Sequence, residues 1–169
     1  KYQTKVTPVS DDELYAATYD KMGVVKDSHT KAITKKKYQK AIHSLAPLGD
    51  TAGTPVLLTT GADDGTGRKR LIPADIIQLK AVLDVLEWDE DRRLVLSNEH
   101  VNDLLLVDQN FKDQYYNYTT GKIANLYGFE VYEYVANPYF TVATKTKKSF
   151  GAVPTGADRR ASVAFQVSR

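Results

Sequence analysis

Residues 93–105, Arg93-Leu94-Val95-Leu96-Ser97-Asn98-Glu99-His100-Val101-Asn102-Asp103-Leu104-Leu105, decide the fold. Leu94, Val95 and Leu96 behind Arg93 form an apolar run too short for a helix and suited to a short buried strand. Ser97 offers a hydroxyl that can accept a first-turn N–H, the usual device for opening a helix. Val101, Leu104 and Leu105 then recur at helical spacing, with Val107 at the margin. Upstream, Pro73 stands where a first helical residue belongs. Ile76, Ile77, Leu79, Val82, Leu83 and Leu86 follow as one amphipathic face, ended by the acidic knot Glu87-Trp88-Asp89-Glu90-Asp91. Downstream, Asp108 to Lys122 reads as a polar, aromatic loop. Ile123 to Val135 alternates as a strand or hairpin with Gly128 at its turn or bulge. Phe140–Ala143 and Ala161–Val167 are two later strands, separated by the turn residues Gly151, Pro154 and Gly156.

The N-terminal third has a different character. Ser10-Asp11-Asp12-Glu13 has the form of a capping box, with Asp11 and Asp12 of the right charge for a helix N-terminus. Apolar residues at roughly helical spacing run from Leu14 to Leu45, and Pro47 stops them. Gly23 and Asp27-Ser28 predict a bend or break in the middle. A continuous helix over 11–45 would measure roughly 50 Å, longer than the roughly 40 Å width of a compact globule of this chain length. Such a rod requires something beyond its own domain to lean on. Gly49 to Gly67 is punctuated by glycine, aspartate and threonine, with one strand-like run at Pro55–Thr60. The pattern as a whole is α+β: a long helix, a helix–strand–helix–strand core, then late strands.

With 169 residues, 42% hydrophobic and 26% charged, the chain has the composition of a folded protein and not of a disordered one. No apolar run approaches the length of a membrane span, and the start does not read as a signal peptide. Lys1 in place of Met suggests a piece of something longer. The chain has 0 cysteines, which excludes disulfide scaffolds, thiolate metal sites and cysteine nucleophiles. The net charge of +2 is too balanced to point to nucleic acid, but it divides unevenly, with the first 48 residues basic and the rest acidic. Eleven tyrosines against one tryptophan favour interfaces, since tyrosine joins a large contact area to a polar tip.

Candidate chemistry is thin. Gly61-Ala62-Asp63-Asp64-Gly65-Thr66-Gly67-Arg68-Lys69-Arg70 combines glycines with a basic triplet, but the spacing is not that of a phosphate-binding loop, and no helix opens directly behind it. Its Asp63-Asp64 pair lacks the alternating acids of a calcium loop. His29, His43 and His100 have no zinc-helix spacing. The acidic knot beside Trp88 reads as a solvated connector, with Arg92 and Arg93 next in sequence to neutralise it. Ser97 lacks the setting of a nucleophile elbow. Asn117-Tyr118-Thr119 is a glycosylation sequon only in a secreted chain. These patterns predict no catalytic residue, no cofactor and no metal, and leave assembly as the expected role.

Arg93-Leu94-Val95-Leu96-Ser97 leading into His100-Val101-Asn102-Asp103-Leu104-Leu105-Leu106, then Gly121-Lys122-Ile123-Ala124-Asn125-Leu126-Tyr127-Gly128-Phe129-Glu130-Val131-Tyr132, resembles the axial domain of tailed-phage major capsid proteins with the Hong Kong 97-type fold. Pro73-Ala74-Asp75-Ile76-Ile77 is similar to the preceding axial-domain helix. Glu13-Leu14 through Tyr19-Asp20-Lys21 to His29 is similar to the start of the long spine helix in coat proteins of some Bacteroidetes phages. Ser149-Phe150-Gly151 and Ala161–Gln166 extend the resemblance to most of the chain.

The resemblance implies a peripheral-domain part over 1–60 containing the spine helix (about 11–45), an axial domain over 61–140 with a small sheet flanked by helices, and strands over 141–169 returning to the peripheral domain. It implies a non-enzymatic subunit that self-assembles into an icosahedral shell around DNA, made in the bacterial host cytoplasm and resident in the virion. Its partners would be copies of itself in pentamers and hexamers, scaffolding and portal proteins, and packaged DNA held non-specifically, with no membrane. Such proteins carry an N-terminal arm and an extended loop before the spine, and little precedes Ser10 here. The last asparagine is Asn137, so no C-terminal crosslink acceptor is assigned. Phe111, Tyr115, Tyr116 and Tyr118 are the expected contacts near the capsomer axis. Lys31, Lys35, Lys36, Lys37 and Lys40 are expected on a spine face meeting acidic neighbours or DNA. The alternatives are a non-viral compartment shell of the same fold and a small phosphate- or nucleotide-binding enzyme using Gly61–Arg70.

Overall fold

The computed structural model describes residues 3–9, 20–88, 91–115 and 125–167. The Ser10–Glu13 capping box, the sequon at 117–119, Tyr116 and Tyr118 lie outside them. Two compact units are resolved, Lys1–Ala41 and Ile42–Arg169.

In the first unit, helix α1 (Lys21–Leu45) begins; the boundary between units falls inside it. It is unbroken, contrary to the bend expected at Gly23. Asp20 Oδ1 accepts the Gly23 N–H at 2.8 Å, so this glycine lies in the capped first turn, where it does little harm. At 25 residues α1 is about 37 Å long. The segment 3–9 is tied to it through His29, whose Nδ1 lies 2.7 Å from Thr4 Oγ1 and whose Nε2 lies 3.1 Å from Thr7 Oγ1.

The second unit is α+β, built around β1 (Arg92–Leu96), the strand expected from the sequence. It is preceded by α2 (Pro73–Val85) and followed by α3 (Asn98–Val107) and α4 (Gln109–Tyr115). Next come β2 (Asn125–Leu126), β3 (Phe129–Glu133), β4 (Tyr139–Thr141), β5 (Thr146–Lys147), β6 (Asp158–Arg160) and β7 (Val163–Gln166). One sheet has the order β2-β3-β1-β7, with β1 parallel to β3 and antiparallel to β7. Parallel pairing needs a crossover between the strands, and α3 and α4 belong to it. The other sheet, β5-β4-β6, is antiparallel.

Side chains alternate across β1, and each parity enters a different core. Leu94 and Leu96 join Ile76, Val101, Leu104 and Phe129 in the larger cluster. Val95 packs instead with Ile42, Ala46, Phe140 and Val163. Lys147 Nζ donates to the carbonyls of His43 (2.7 Å) and Ala46 (2.5 Å), satisfying acceptors at the C-terminal end of α1. Burial there lowers the Lys147 pKa.

Several local expectations hold. Pro73 opens α2, Ser97 Oγ accepts the His100 N–H of α3, and Gly128 (φ 85°) with Tyr127 (φ 50°) forms the β2–β3 turn. Two positive-φ residues are what a two-residue hairpin turn of the right twist demands. Others need correction. Pro55–Thr60 joins no ladder: Asp50 takes the Val56 N–H and Asp75 the Thr60 N–H. Of the expected loop at 108–122, residues 109–115 are helical; Asp108 Oδ1 accepts the Asn110 N–H and opens the turn. Ile77 is exposed on α2, and the short strands β5 and β6 were not foreseen. Gly151, Pro154 and Gly156 lie between those two strands. Among the described residues, Arg92 pairs with Asp84 at 2.6 Å and Arg93 with Glu130 at 2.8 Å across the β1–β3 register, not with Glu87 or Asp91 of the acidic knot, whose Asp89 and Glu90 lie outside the described residues.

Candidate functional site

The glycine-rich segment was the strongest sequence candidate for a ligand site. It forms a turn closed by the Asp63–Lys69 bridge. The N–H groups an anion would use are engaged internally: Asp63 Oδ1 accepts from Gly65 (2.6 Å) and Gly67 (3.2 Å), and Asp64 Oδ1 accepts from Thr66 (2.9 Å). Arg68 is held in a bidentate pair with Asp103, at 2.6 and 2.8 Å, and donates to Asp64 at 2.8 Å. Burial alone would raise the Asp103 pKa. The Arg68 bonds, the Leu71 N–H at 2.9 Å and the guanidinium charge outweigh that effect and lower it. The Thr66 hydroxyl and N–H, with Arg68, lower Asp64 as well. The segment therefore carries its own anions, and its arginine fastens it to α3.

A cavity of about 860 Å³ lies in the second unit, lined by the 53–60 stretch, α2 and strands of both sheets. Its walls are apolar at Leu57, Leu79, Leu83, Trp88, Phe140 and Phe165, with Asp75, His100, Arg160 and Ser162 among its polar residues. Asp75 accepts from Thr60 N and Oγ1 and from Ile72 N, capping α2 while pinning the 53–60 wall. His100 Nδ1 lies 2.7 Å from Ser162 Oγ, and burial pushes the ring's pKa down to about 4. The Ser97 N–H donates to the same Ser162 oxygen at 3.1 Å. Ser162 Oγ thus accepts from a backbone N–H and stands within hydrogen-bond reach of the imidazole. The pair links the start of β7 to the N-terminus of α3. Among the described residues, no group of three His, Asp or Glu side chains could hold a metal ion, and no helix is long and apolar enough to cross a membrane.

The expected contact residues separate. Phe111 has 0% of its surface exposed and belongs to the larger core cluster, stacked at 6.1 Å on Tyr115. Its helical placement, three residues after the cap, turns the ring inward. Tyr115 is 37% exposed, and its hydroxyl donates to Glu133 at 3.4 Å. Lys31, Lys35, Lys36, Lys37 and Lys40 are all exposed on α1. The Arg68–Asp103 fastening was missed by the sequence reading. Its only signal was an acid inside the apolar run Val101–Val107. The chain matches no protein-family model, no curated protein and no solved structure.

Proposed function

We propose that the chain is a subunit of a self-assembling icosahedral shell, built on the Hong Kong 97-type fold of tailed-phage major capsid proteins and enclosing DNA. The reading is that of a structural protein made in the host cytoplasm and carried in the virion, with no catalytic role. Helix α1 carries the argument. Over 25 residues it buries only Ile42, while Val24 and Tyr38 are 57% and 59% exposed. A helix this long that buries so little of its own chain is suited to lie along another one. In this reading α1 is the spine, the sheet around β1 with α2 and α3 is the axial domain, and Tyr115 with its sequence neighbours faces the capsomer axis. The order helix, strand, capped helix, hairpin supports it.

Light scattering coupled to size-exclusion chromatography, followed by electron microscopy, tests the proposal on the chain alone and on a version extended upstream of Lys1. Closed particles of uniform size from either form uphold it; monomers from both, over a wide range of salt and concentration, refute it. Within that assay, Tyr115→Ala with Tyr116→Ala is expected to impair particle formation, and unimpaired assembly would remove the axial-contact assignment.

A further inference from the structure

Helix α1 carries seven lysines between Lys21 and Leu45, and Asp27 is its single acid. Lys31 and Lys35, and likewise Lys36 and Lys40, stand four residues apart, where like charges on a helix repel. Lys31, Lys35, Lys36 and Lys37 form no ion pair among the described residues. Val24 and Tyr38 are exposed on the same helix. The opposite charge lies elsewhere on the chain. Where α2 gives way to β1, Lys80 and Arg92 both pair with Asp84, which leaves Glu87 and Asp91 exposed without a counter-charge among the described residues. Val85, at the end of α2, is 83% exposed.

We propose that α1 docks, through the face on which Lys31 and Lys35 stand with Val24 and Tyr38, onto the α2–β1 corner of a second copy of this chain, in a head-to-tail contact. Each surface is apolar as well as charged, which suits a protein partner better than a phosphate backbone. Because the two surfaces differ, the contact is heterologous, and its repetition generates a ring or an open array. The inference rests on the shell reading and specifies one of its contacts.

A charge-swap experiment tests it by sedimentation velocity on the intact chain. The wild type is expected to self-associate at about 50 mM salt and to weaken roughly tenfold at about 300 mM, since exposed charges are screened. One variant carries Lys31→Glu and Lys35→Glu; the other carries Glu87→Lys and Asp91→Lys. Circular dichroism melts establish that both fold. Each alone is expected to stay monomeric, and their equimolar mixture to regain association. A monomeric wild type at low salt, a lysine-reversed variant that still associates, or a mixture that stays monomeric would overturn the proposal. So would lysines that bind a short DNA duplex while self-association is absent. Particles formed by either variant alone would overturn this contact and leave the shell reading standing. Restored association in the mixture, with no closed particles under any condition, would do the reverse.

Discussion

Two regions of the molecule handle charge and apolar surface in opposite ways. In the second unit, the buried carboxylates accept hydrogen bonds and two clusters of apolar residues are sealed into cores. Arg68 is fastened to Asp103 and Asp64. Asp158, 5% exposed, accepts from Thr155 and Thr141, and those bonds hold its pKa low. Up to Ala41 in the first unit, six of the seven lysines of α1 are exposed and none of its apolar residues is fully buried. The second unit carries the means of its own stability, whereas α1 carries a surface. Buried pairs are costly to break and exposed charges are not, so substitutions should divide along the same line.

The sharpest division is expected between two neighbours on α4. Phe111→Ala removes a ring with no exposed surface and should cost about 3–5 kcal/mol in urea unfolding. Tyr115→Ala, one helical turn on and 37% exposed, should cost no more than about 1 kcal/mol. Equal costs would mean that α4 is not packed by its Phe111 face. Next comes Arg68→Ala, which strands the buried Asp103 carboxylate and should cost about 3 kcal/mol, with Arg68→Lys recovering only part because it loses the bidentate geometry. Asp103 has a lowered pKa, so its contribution is present above the ordinary carboxylate value and is lost as pH falls below about 4. The Arg68→Ala protein should show a flatter stability profile below that pH.

What was legible in the sequence follows from the range of the forces involved. The strand at 92–96, the Ser97 cap, Pro73 at the start of α2 and the Tyr127-Gly128 turn are settled by residues within a few positions of one another. Arg68–Asp103 joins residues 35 apart, and His100–Ser162 residues 62 apart, so no local window contains either pair. Pro55–Thr60 differs: its residues favour a strand, but the carboxylates of Asp50 and Asp75, 6 and 15 residues away, took N–H groups a ladder would have used. Asp108 was the opposite case, a local cap signal at the head of a polar, aromatic stretch whose composition is that of a loop.

His100 gives a prediction confined to a pH window. Its pKa near 4 lies below the ordinary imidazole value of 6.5, so the unfolded chain takes up the proton first as pH falls. The stability it contributes is complete above about pH 6.5 and declines progressively towards pH 4, by up to about 3 kcal/mol. His100→Asn keeps an acceptor for Ser162 and removes the titration. Its unfolding free energy should vary less over that window than that of the wild type, and an unchanged slope would place the sensitivity on another group.

The smallest effect should come from the first unit. Thr4→Val with Thr7→Val removes the hydroxyls beside both nitrogens of His29. Because the site is only partly buried or exposed, water can replace those hydroxyls, and such bonds contribute only about 1 kcal/mol net when intact. The unfolding midpoint of the second unit should therefore not move. Hydrogen exchange should quicken over 3–9 and around His29, because local opening there does not require the core around β1 to open. If the double variant lowered the global midpoint as Arg68→Ala does, the two regions would share one cooperative transition. α1 would then be part of the core's own stability and not a surface held out for another chain.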